Sequence, residues 1–153
     1  MDEDFVTGVP GSPPSRMLLC DDSPVERMAL AHFLRRSGYQ VDEAGDGALA
    51  IEHLKNREVD IVLLDLQMPG VDGFHVLRYL QQHRRALPVI LLSGMPVDEI
   101  QHNIHVLPTH ELPPLFLKPV DLNSLLQIVE LQLSGDLPDL NARDNGTGSI
   151  QGP

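Results

Sequence analysis

Four short and almost uninterrupted apolar runs recur along the chain, and a polar residue follows each of them. The runs lie at residues 17–20, 59–64, 89–92 and 115–117. Runs of this length are typical of strands that are buried on both faces, as they are in a parallel sheet. Parallel strands need crossover connections, which are usually helices. The pattern therefore predicts an alternating α/β domain built around a parallel sheet.

Helix signals occupy the segments between these runs. Ser23 is a good N-cap, Pro24 suits the first helical position, and Glu26 completes a capping box. Gly38 is expected to end this first helix, and a short second strand is expected at residues 39–43. The expected architecture is five parallel strands with helices on both faces of the sheet. Further helix N-caps are expected at Asp46, Asp72 and Asp121.

The segment before the fifth strand departs from this regular alternation. Apolar residues at 97, 100, 104 and 107 keep a helical spacing. Three prolines then fall within residues 108–114, and proline cannot continue a helix. We therefore expect a short, irregular fourth helix followed by a long extended loop.

Composition sets the boundaries of the folded part. Residues 1–15 and 134–153 are polar and rich in Gly, Pro and acidic residues, so we expect a flexible N-terminal tail and a C-terminal tail or linker stub. The compact part is expected at residues 16–133. Only 20 residues remain after the fifth helix, so we expect output through protein contacts, or through a domain outside this chain.

Charge and cysteine content narrow the classes of function. A net charge of −11 argues against nucleic-acid binding, which requires clustered Lys and Arg. A single cysteine, Cys20, fits a reducing compartment, and its place in an apolar run favours a buried, inert thiol. No run approaches the ~20 residues of a membrane helix, and the N-terminus lacks the basic start of a signal peptide. A cytoplasmic protein is expected.

Charged and hydroxyl side chains stand at the predicted strand ends. Asp21 and Asp22 follow strand 1, Asp65 follows strand 3, Ser93 follows strand 4 and Lys118 follows strand 5. Open α/β sheets bind their ligands at the carboxyl ends of the strands. Three carboxylates with an ammonium and a hydroxyl can hold Mg²⁺ and handle a phosphoryl group. Taken singly, each residue also has a structural reading, such as a loop cap, a helix cap or a surface lysine.

In this order, the strand-end residues resemble the receiver domain of two-component response regulators. The resemblance rests on Asp21-Asp22, on the segment Asp-Leu-Gln-Met-Pro-Gly-Val-Asp-Gly that begins at Asp65, on Ser93, and on Lys118-Pro119. It runs from the first strand through the fifth helix. It implies a flavodoxin-like, doubly wound fold and a phosphorelay function without enzymatic turnover.

The resemblance also implies a role for each site residue. Asp65 would accept a phosphoryl group from a phosphohistidine on a sensor histidine kinase or a phosphotransfer protein. Asp21, Asp22 and Asp65 would bind Mg²⁺ together with the backbone carbonyl of Gln67. Lys118 would neutralise a phosphate oxygen. Ser93 would donate a hydrogen bond to the phosphate once it forms.

One departure from the family affects the switch rather than the chemistry. The family carries an aromatic residue three positions before the lysine, whereas this chain has Leu115, and Phe116 is expected to face the other side of the sheet. The fourth helix, fifth strand and fifth helix form the family's dimer or output face. A homodimer and a downstream protein target are therefore both left open.

Three alternatives remain at this point. The first is an adaptor that keeps the fold and binds a partner independently of phosphorylation. The second is an aspartate-dependent phosphatase, which the sequence disfavours because Asp65-Leu-Gln67 lacks the second acid of such enzymes. The third is a metal site at His102, His105 and His110, which we weigh against solvated loop histidines because their spacing fits no standard pattern.

Overall fold

The computed structural model of the chain describes residues 13–68, 70–109 and 111–135. Strands and helices alternate throughout this part. The strands are β1 (Arg16–Cys20), β2 (Gln40–Ala44), β3 (Ile61–Asp65), β4 (Val89–Ser93) and β5 (Leu115–Leu117). The helices are α1 (Pro24–Arg36), α2 (Gly47–Asn56), α3 (Gly73–His83), α4 (Val97–Asn103) and α5 (Leu122–Ser134). The predicted alternating α/β fold is confirmed.

All five strands form one parallel sheet in the order β2-β1-β3-β4-β5. The chain builds outward from β1 to β2, and then crosses back over β1 to place β3 on its other side. The order therefore reverses between β1 and β3, and this is where doubly wound sheets form a ligand crevice at their carboxyl ends.

Apolar side chains pack on both faces of the sheet. Helices α2, α3 and α4 cover one face, where Ala50, Leu77 and Ile100 are buried. Helices α1 and α5 cover the other face with Leu34 and Leu125. This two-sided burial explains why the strand sequences are apolar throughout rather than alternating.

Side-chain caps start four of the helices as predicted. The Ser23 hydroxyl accepts a hydrogen bond from the Glu26 amide at 3.3 Å. The other capping pairs are Asp46 with the Leu49 amide, Asp72 with the His75 amide, and Asp121 with the Ser124 amide. Each cap satisfies an amide that has no partner within its helix.

The capping box predicted at α1 is wrong in its second half. A capping box requires the Glu26 carboxylate to accept from the Ser23 amide. That amide instead donates to Oδ1 of Asp21 at 2.8 Å. The Glu26 carboxylate accepts from Nζ of Lys118, also at 2.8 Å. Glu26 therefore belongs to the strand-end cluster and not to the helix cap.

The irregular segment before β5 matches its prediction. Helix α4 has seven residues and passes into a short 3₁₀ turn, Ile104–Val106. Ile100 and Leu107 are buried, so the predicted apolar face does pack onto the core. Of the prolines that follow, Pro108 lies in a bend, and Pro113 and Pro114 lie in irregular chain leading into β5.

On β5, successive side chains reach opposite faces of the sheet. Leu115 packs with the cluster under α2, α3 and α4, while Phe116 packs with the cluster under α1 and α5. Phe116 therefore faces away from Leu115, as predicted. The Lys118–Pro119 peptide bond that follows is cis.

Cys20 is fully buried at the end of β1. Burial raises the pKa of its thiol above the ordinary range, and the charges of Asp21 and Asp65 raise it further. Since the thiolate is the reactive form, this environment agrees with the predicted inert thiol.

The expected ends of the domain lie at the margin of the described part. The predicted tails, 1–15 and 134–153, fall outside the described residues except at positions 13–15, 134 and 135. Helix α5 extends to Ser134, one residue past the expected end of the compact part. None of the described helices combines the length and the apolar character that a bilayer span requires.

Candidate functional site

The carboxyl ends of the strands bring four of the predicted residues to one edge of the sheet. Asp65 is the last residue of β3, Asp21 directly follows β1, Ser93 ends β4 and Lys118 directly follows β5. The adjoining Asp22 brings a third carboxylate. Carboxylate oxygens of Asp21, Asp22 and Asp65 lie within 4.8 Å of one another.

The two buried carboxylates are held in the same way. Oδ1 of Asp21 accepts from the Ser23 amide at 2.8 Å, and Oδ1 of Asp65 accepts from the Gln67 amide at 2.9 Å. Their other oxygens, Oδ2, lie 3.4 Å and 3.0 Å from Nζ of Lys118. One oxygen of each carboxylate is therefore fixed by backbone, and the other points towards the lysine.

Burial and the positive charge of Lys118 shift the pKa of Asp65 in opposite directions. Burial raises the pKa of the Asp65 carboxyl, and the negative charge of Asp21 adds to this effect. The Gln67 amide and Lys118 act in the opposite direction, but the pKa stays above its ordinary value. The ionised form of Asp65 is therefore less favourable in this pocket than in water, and further positive charge would favour it.

Lys118 is the cation of the pocket. Burial alone would lower the pKa of its ammonium, but hydrogen bonds to Glu26 and Asp65 and the charges of Asp65 and Asp21 raise it above the ordinary value. Lys118 is therefore a permanent positive charge near neutral pH.

Ser93 is buried beside β5. The backbone amide of Lys118 donates to the Ser93 carbonyl at 2.8 Å, which fixes the two residues side by side. The Ser93 hydroxyl oxygen accepts from the Met95 amide at 2.8 Å. This bond uses an oxygen lone pair, so the hydroxyl proton stays available for a ligand.

The donor set of the acidic group fits Mg²⁺. Its three carboxylates are hard oxygen ligands, and the exposed Asp22 leaves one side open for the waters that Mg²⁺ retains. Within the described residues, this is the one group of three or more His, Cys, Asp or Glu side chains close enough to share a metal. The Gln67 carbonyl remains a predicted further ligand.

The histidine alternative gains no support from the described residues. His102 and His105 form an edge-to-face ring pair with centroids 6.3 Å apart, and the His105 ring bonds to the His102 carbonyl. His110 lies outside the described residues.

Two residues at the site escaped the sequence reading. Glu26 reaches Lys118 from the first turn of α1. Arg27 donates from Nη1 to the Asp21 carbonyl at 2.8 Å and from Nε to Glu43 at 3.1 Å, so it holds the backbone that carries the first acid. Their position about one helical turn after Asp21-Asp22 could have indicated that Glu26 and Arg27 belong to the site. The capping box, however, offered a local explanation for Glu26.

Helix α3 begins in direct contact with the backbone of the site. A Cβ atom on Gly73 would lie 2.4 Å from the Asp65 carbonyl oxygen and from Cα of Leu66. Only glycine permits this close approach. A cleft of about 390 Å³ lies beside this contact, between the loop after β3 and α4, and Gln67 and Met95 line it.

A larger cavity lies away from this chemistry. Its volume is about 620 Å³, and it is lined in part by Leu80, Arg84, Pro88 and Pro114, near the amino ends of β4 and β5. None of the strand-end carboxylates lines it. Size alone would therefore point to the wrong end of the sheet.

The fold and the site together define a receiver domain of two-component signalling. The chain belongs to the response regulator receiver domain family, whose model matches residues 17–130. Members of this family exchange signals with histidine kinases and phosphotransfer proteins, and bind Mg²⁺ at an acidic pocket.

Individual relatives place the chain within this family. It is 32% identical over 125 residues to Protein PilH of Pseudomonas aeruginosa, covering 79% of this chain and 99% of PilH. It is 38% identical over 96 residues to the gliding motility regulatory protein of Myxococcus xanthus, covering 61% of this chain but only 12% of that protein. The chain thus spans nearly all of PilH but only a small part of the gliding motility regulatory protein.

A solved structure gives the same result. The response regulator TrrA of Thermotoga maritima, in complex with Mg²⁺-BeF, superposes with a TM-score of 0.68 at 25% identity. The match covers 78% of this chain and 99% of that one.

Proposed function

We propose that this chain is a phosphoryl-accepting receiver in which Asp65 takes the phosphoryl group from a phosphohistidine. The donor is a sensor histidine kinase or a phosphotransfer protein, and the response is a change in contacts with a downstream protein. The observation that carries the proposal is the placement of Asp65: its buried carboxylate ends β3, 3.0 Å from Lys118 and beside Asp21 and Asp22.

The chemistry follows from this placement. A carboxylate oxygen of Asp65 attacks phosphorus and the P–N bond breaks. The departing imidazole nitrogen takes the bonding electrons, and solvent supplies its proton. Because donor and acceptor are both anionic, the approach requires positive charge at the acceptor.

The residues around Asp65 supply or hold that charge. Lys118 already contacts an oxygen of Asp65 and can follow the phosphoryl group as a point charge. Ser93 has its hydroxyl proton free to donate to a phosphate oxygen. Mg²⁺, bound by Asp21, Asp22, Asp65 and the Gln67 carbonyl, would neutralise the developing charge.

The proposal also includes the extent of the receiver and where and how the protein acts. We assign the receiver to residues 16–133, and residues 1–15 and 134–153 lie almost entirely outside the described residues. The protein acts in the cytoplasm through protein contacts, without turnover of a substrate of its own. Its surface charge gives no basis for binding nucleic acid directly.

A constitutive adaptor is the second candidate. The observation that favours it is Leu115, an aliphatic residue packed against the core where the resemblance calls for an aromatic switch residue. The complete set of acids with Lys118 favours the receiver, because an adaptor has no use for a pocket of mutually repelling carboxylates.

Intact-mass spectrometry after incubation with acetyl phosphate and Mg²⁺ tests the proposal. We expect a gain of one phosphoryl group that disappears with EDTA and in Asp65→Asn, because the amide is not a nucleophile. Asp98→Asn, an exposed change on α4, is the matched control and should label like the parent.

Labelling that persists in Asp65→Asn would overturn the assignment of the acceptor. If the parent chain gains no phosphoryl group from acetyl phosphate or from a panel of phosphorylated phosphotransfer domains, the adaptor is the better reading.

A further inference from the structure

Lys118 has no free hydrogen-bond donor. An ammonium group carries three N–H donors. Nζ of Lys118 lies 2.8 Å from Oε1 of Glu26, 3.0 Å from Oδ2 of Asp65 and 3.4 Å from Oδ2 of Asp21. An oxygen of an incoming phosphoryl group can therefore reach Lys118 only if one of these carboxylates gives way.

The three carboxylates differ in how firmly they are held. The side chains of Asp21 and Asp65 are each 3% exposed, and a backbone amide fixes the second oxygen of each. The Glu26 side chain is 57% exposed and extends from the first turn of α1. It can leave Lys118 for water at little cost, since exposed ion pairs are weak.

We propose that Glu26 is a displaceable latch on Lys118. It competes with a phosphoryl oxygen for Lys118 when Asp65 is modified, and Lys118 follows the phosphoryl group more readily once Glu26 has moved away. This inference rests on the proposed function. Its consequence is that Glu26 lowers the affinity of the pocket for a phosphoryl group and favours the unmodified state.

The charges around Lys118 indicate that Glu26 can be displaced and is not needed to hold Lys118 in place. Three carboxylates contact the one ammonium, and Asp22 adds a fourth negative charge beside Asp21 and Asp65, so loss of Glu26 still leaves Lys118 paired with two buried acids. Glu26 also adds negative charge where an anionic donor must approach. Neither effect helps phosphoryl transfer.

Titration of the full chain with beryllium fluoride in the presence of Mg²⁺, followed by ¹H–¹⁵N NMR, tests this directly. Beryllium fluoride stands in for the phosphoryl group on the aspartate. In Glu26→Gln, half-saturation should fall to a roughly fivefold lower concentration, the order expected for losing one exposed ion pair.

Two further variants separate contact from charge. Glu26→Asp keeps the charge but is one methylene shorter, so it should also bind beryllium fluoride more tightly than the parent. Glu99→Gln removes one exposed acid from α4 and should leave half-saturation unchanged. The affinity for Mg²⁺ alone should change by less than about twofold in every variant, since Glu26 is not among the grouped acids.

The outcomes are distinguishable. If Glu26→Gln or Glu26→Asp matches the parent, or if Glu99→Gln gains as much as Glu26→Gln, the latch is wrong while the receiver stands. If the parent chain does not bind beryllium fluoride and Mg²⁺ at all, the latch and the proposed function both fail.

Discussion

Asp65 has to meet two opposing requirements within one pocket. Its burial raises the pKa of the carboxyl and so favours the neutral acid. The proposed chemistry requires the anion, both as nucleophile and as ligand. Lys118 and the Gln67 amide offset part of the burial effect, and the remainder is left for a divalent cation. The pocket therefore holds an electrostatically unfavourable carboxylate that the proposed chemistry requires.

This conflict predicts that Asp65→Asn stabilises the metal-free chain near neutral pH. A carboxyl whose folded pKa is raised binds its proton more tightly in the folded state, so its contribution to stability is lost as pH rises through that pKa. The neutral amide does not suffer this loss. Urea unfolding in EDTA should show the variant more stable near neutral pH, with the difference shrinking at acid pH as Asp65 protonates.

The control for this prediction is again Asp98→Asn, which removes an acid from the first turn of α4 and should lose about 0.3–1 kcal/mol near neutral pH, the opposite sign to the gain expected from Asp65→Asn. An Asp65→Asn variant that is less stable than the parent near neutral pH would show that the bond to Lys118 outweighs the cost of burial.

A site residue can be predicted from the sequence when a local pattern gives its position. Asp21, Asp65, Ser93 and Lys118 could be found because each stands where an apolar run ends. Glu26 could not, because its contact with Lys118 spans 92 positions and depends on how α1 sits over the end of β5. A local rule explained the same residue as part of a cap, and nothing in the sequence favoured the distant contact.

At the scale of secondary structure, the loop after β3 connects the site to α3. Gly73 starts α3 with its Cα against the carbonyl of Asp65, so strand end and helix start share one tightly packed backbone contact. A movement of the start of α3 should therefore displace the backbone at Asp65 and Leu66.

Gly73→Ala should destabilise the chain and disturb the site together. The added methyl group would lie 2.4 Å from backbone atoms, which cannot rotate away as a side chain can. Overpacking of this kind costs about 1–3 kcal/mol. We expect a lower midpoint of thermal unfolding and slower labelling by acetyl phosphate.

Gly45→Ala is the matched control, because its methyl group would meet only a side-chain end, Nη1 of Arg27 at 3.2 Å, which can shift slightly while keeping its bond to the Asp21 carbonyl. It should lose far less stability. Equal losses in the two variants would indicate a general cost of replacing glycine rather than the contact at Gly73.

The elements themselves were largely predictable, and their boundaries less so. The apolar runs located β3 and β4, but strands predicted at residues 59–64 and 88–92 span Ile61–Asp65 and Val89–Ser93. Hydrophobicity marks which residues are buried, whereas strand limits depend on hydrogen bonds with neighbouring strands that a single run does not specify. The end of the helical segment after α4 was better defined, because a proline beyond the first turn interrupts a helix in almost any surroundings.

At the scale of the whole molecule, charge and fold act together. The chain carries a net charge of −11, and the topology gathers three acids at the point where the strand order reverses. Repulsion between these carboxylates lowers the stability of the folded state. It is also the reason why a cation should bind the folded state and not the unfolded chain.

Mg²⁺ should therefore raise the midpoint of thermal unfolding. A ligand at a hundred times its Kd stabilises the folded state by about 2.7 kcal/mol when the unfolded chain does not bind it. Differential scanning calorimetry with MgCl₂, compared with NaCl at matched ionic strength, measures the specific part. Asp22→Asn, which removes one grouped carboxylate, should reduce the gain.

A gain of equal size in NaCl would mean that general screening of the negative charge, rather than a site, causes the stabilisation. Asp98→Asn should respond to Mg²⁺ like the parent, since α4 contributes no acid to the group.

The enclosed sulfur of Cys20 has a practical consequence for studies of motion in this protein. The sequence contains one cysteine, and it is fully buried with a raised pKa. A maleimide fluorophore or a thiol-reactive nitroxide spin label will therefore not react with Cys20 in the folded state. One new cysteine at an exposed position such as Val97 would then carry the only probe, and the natural thiol could be left in place.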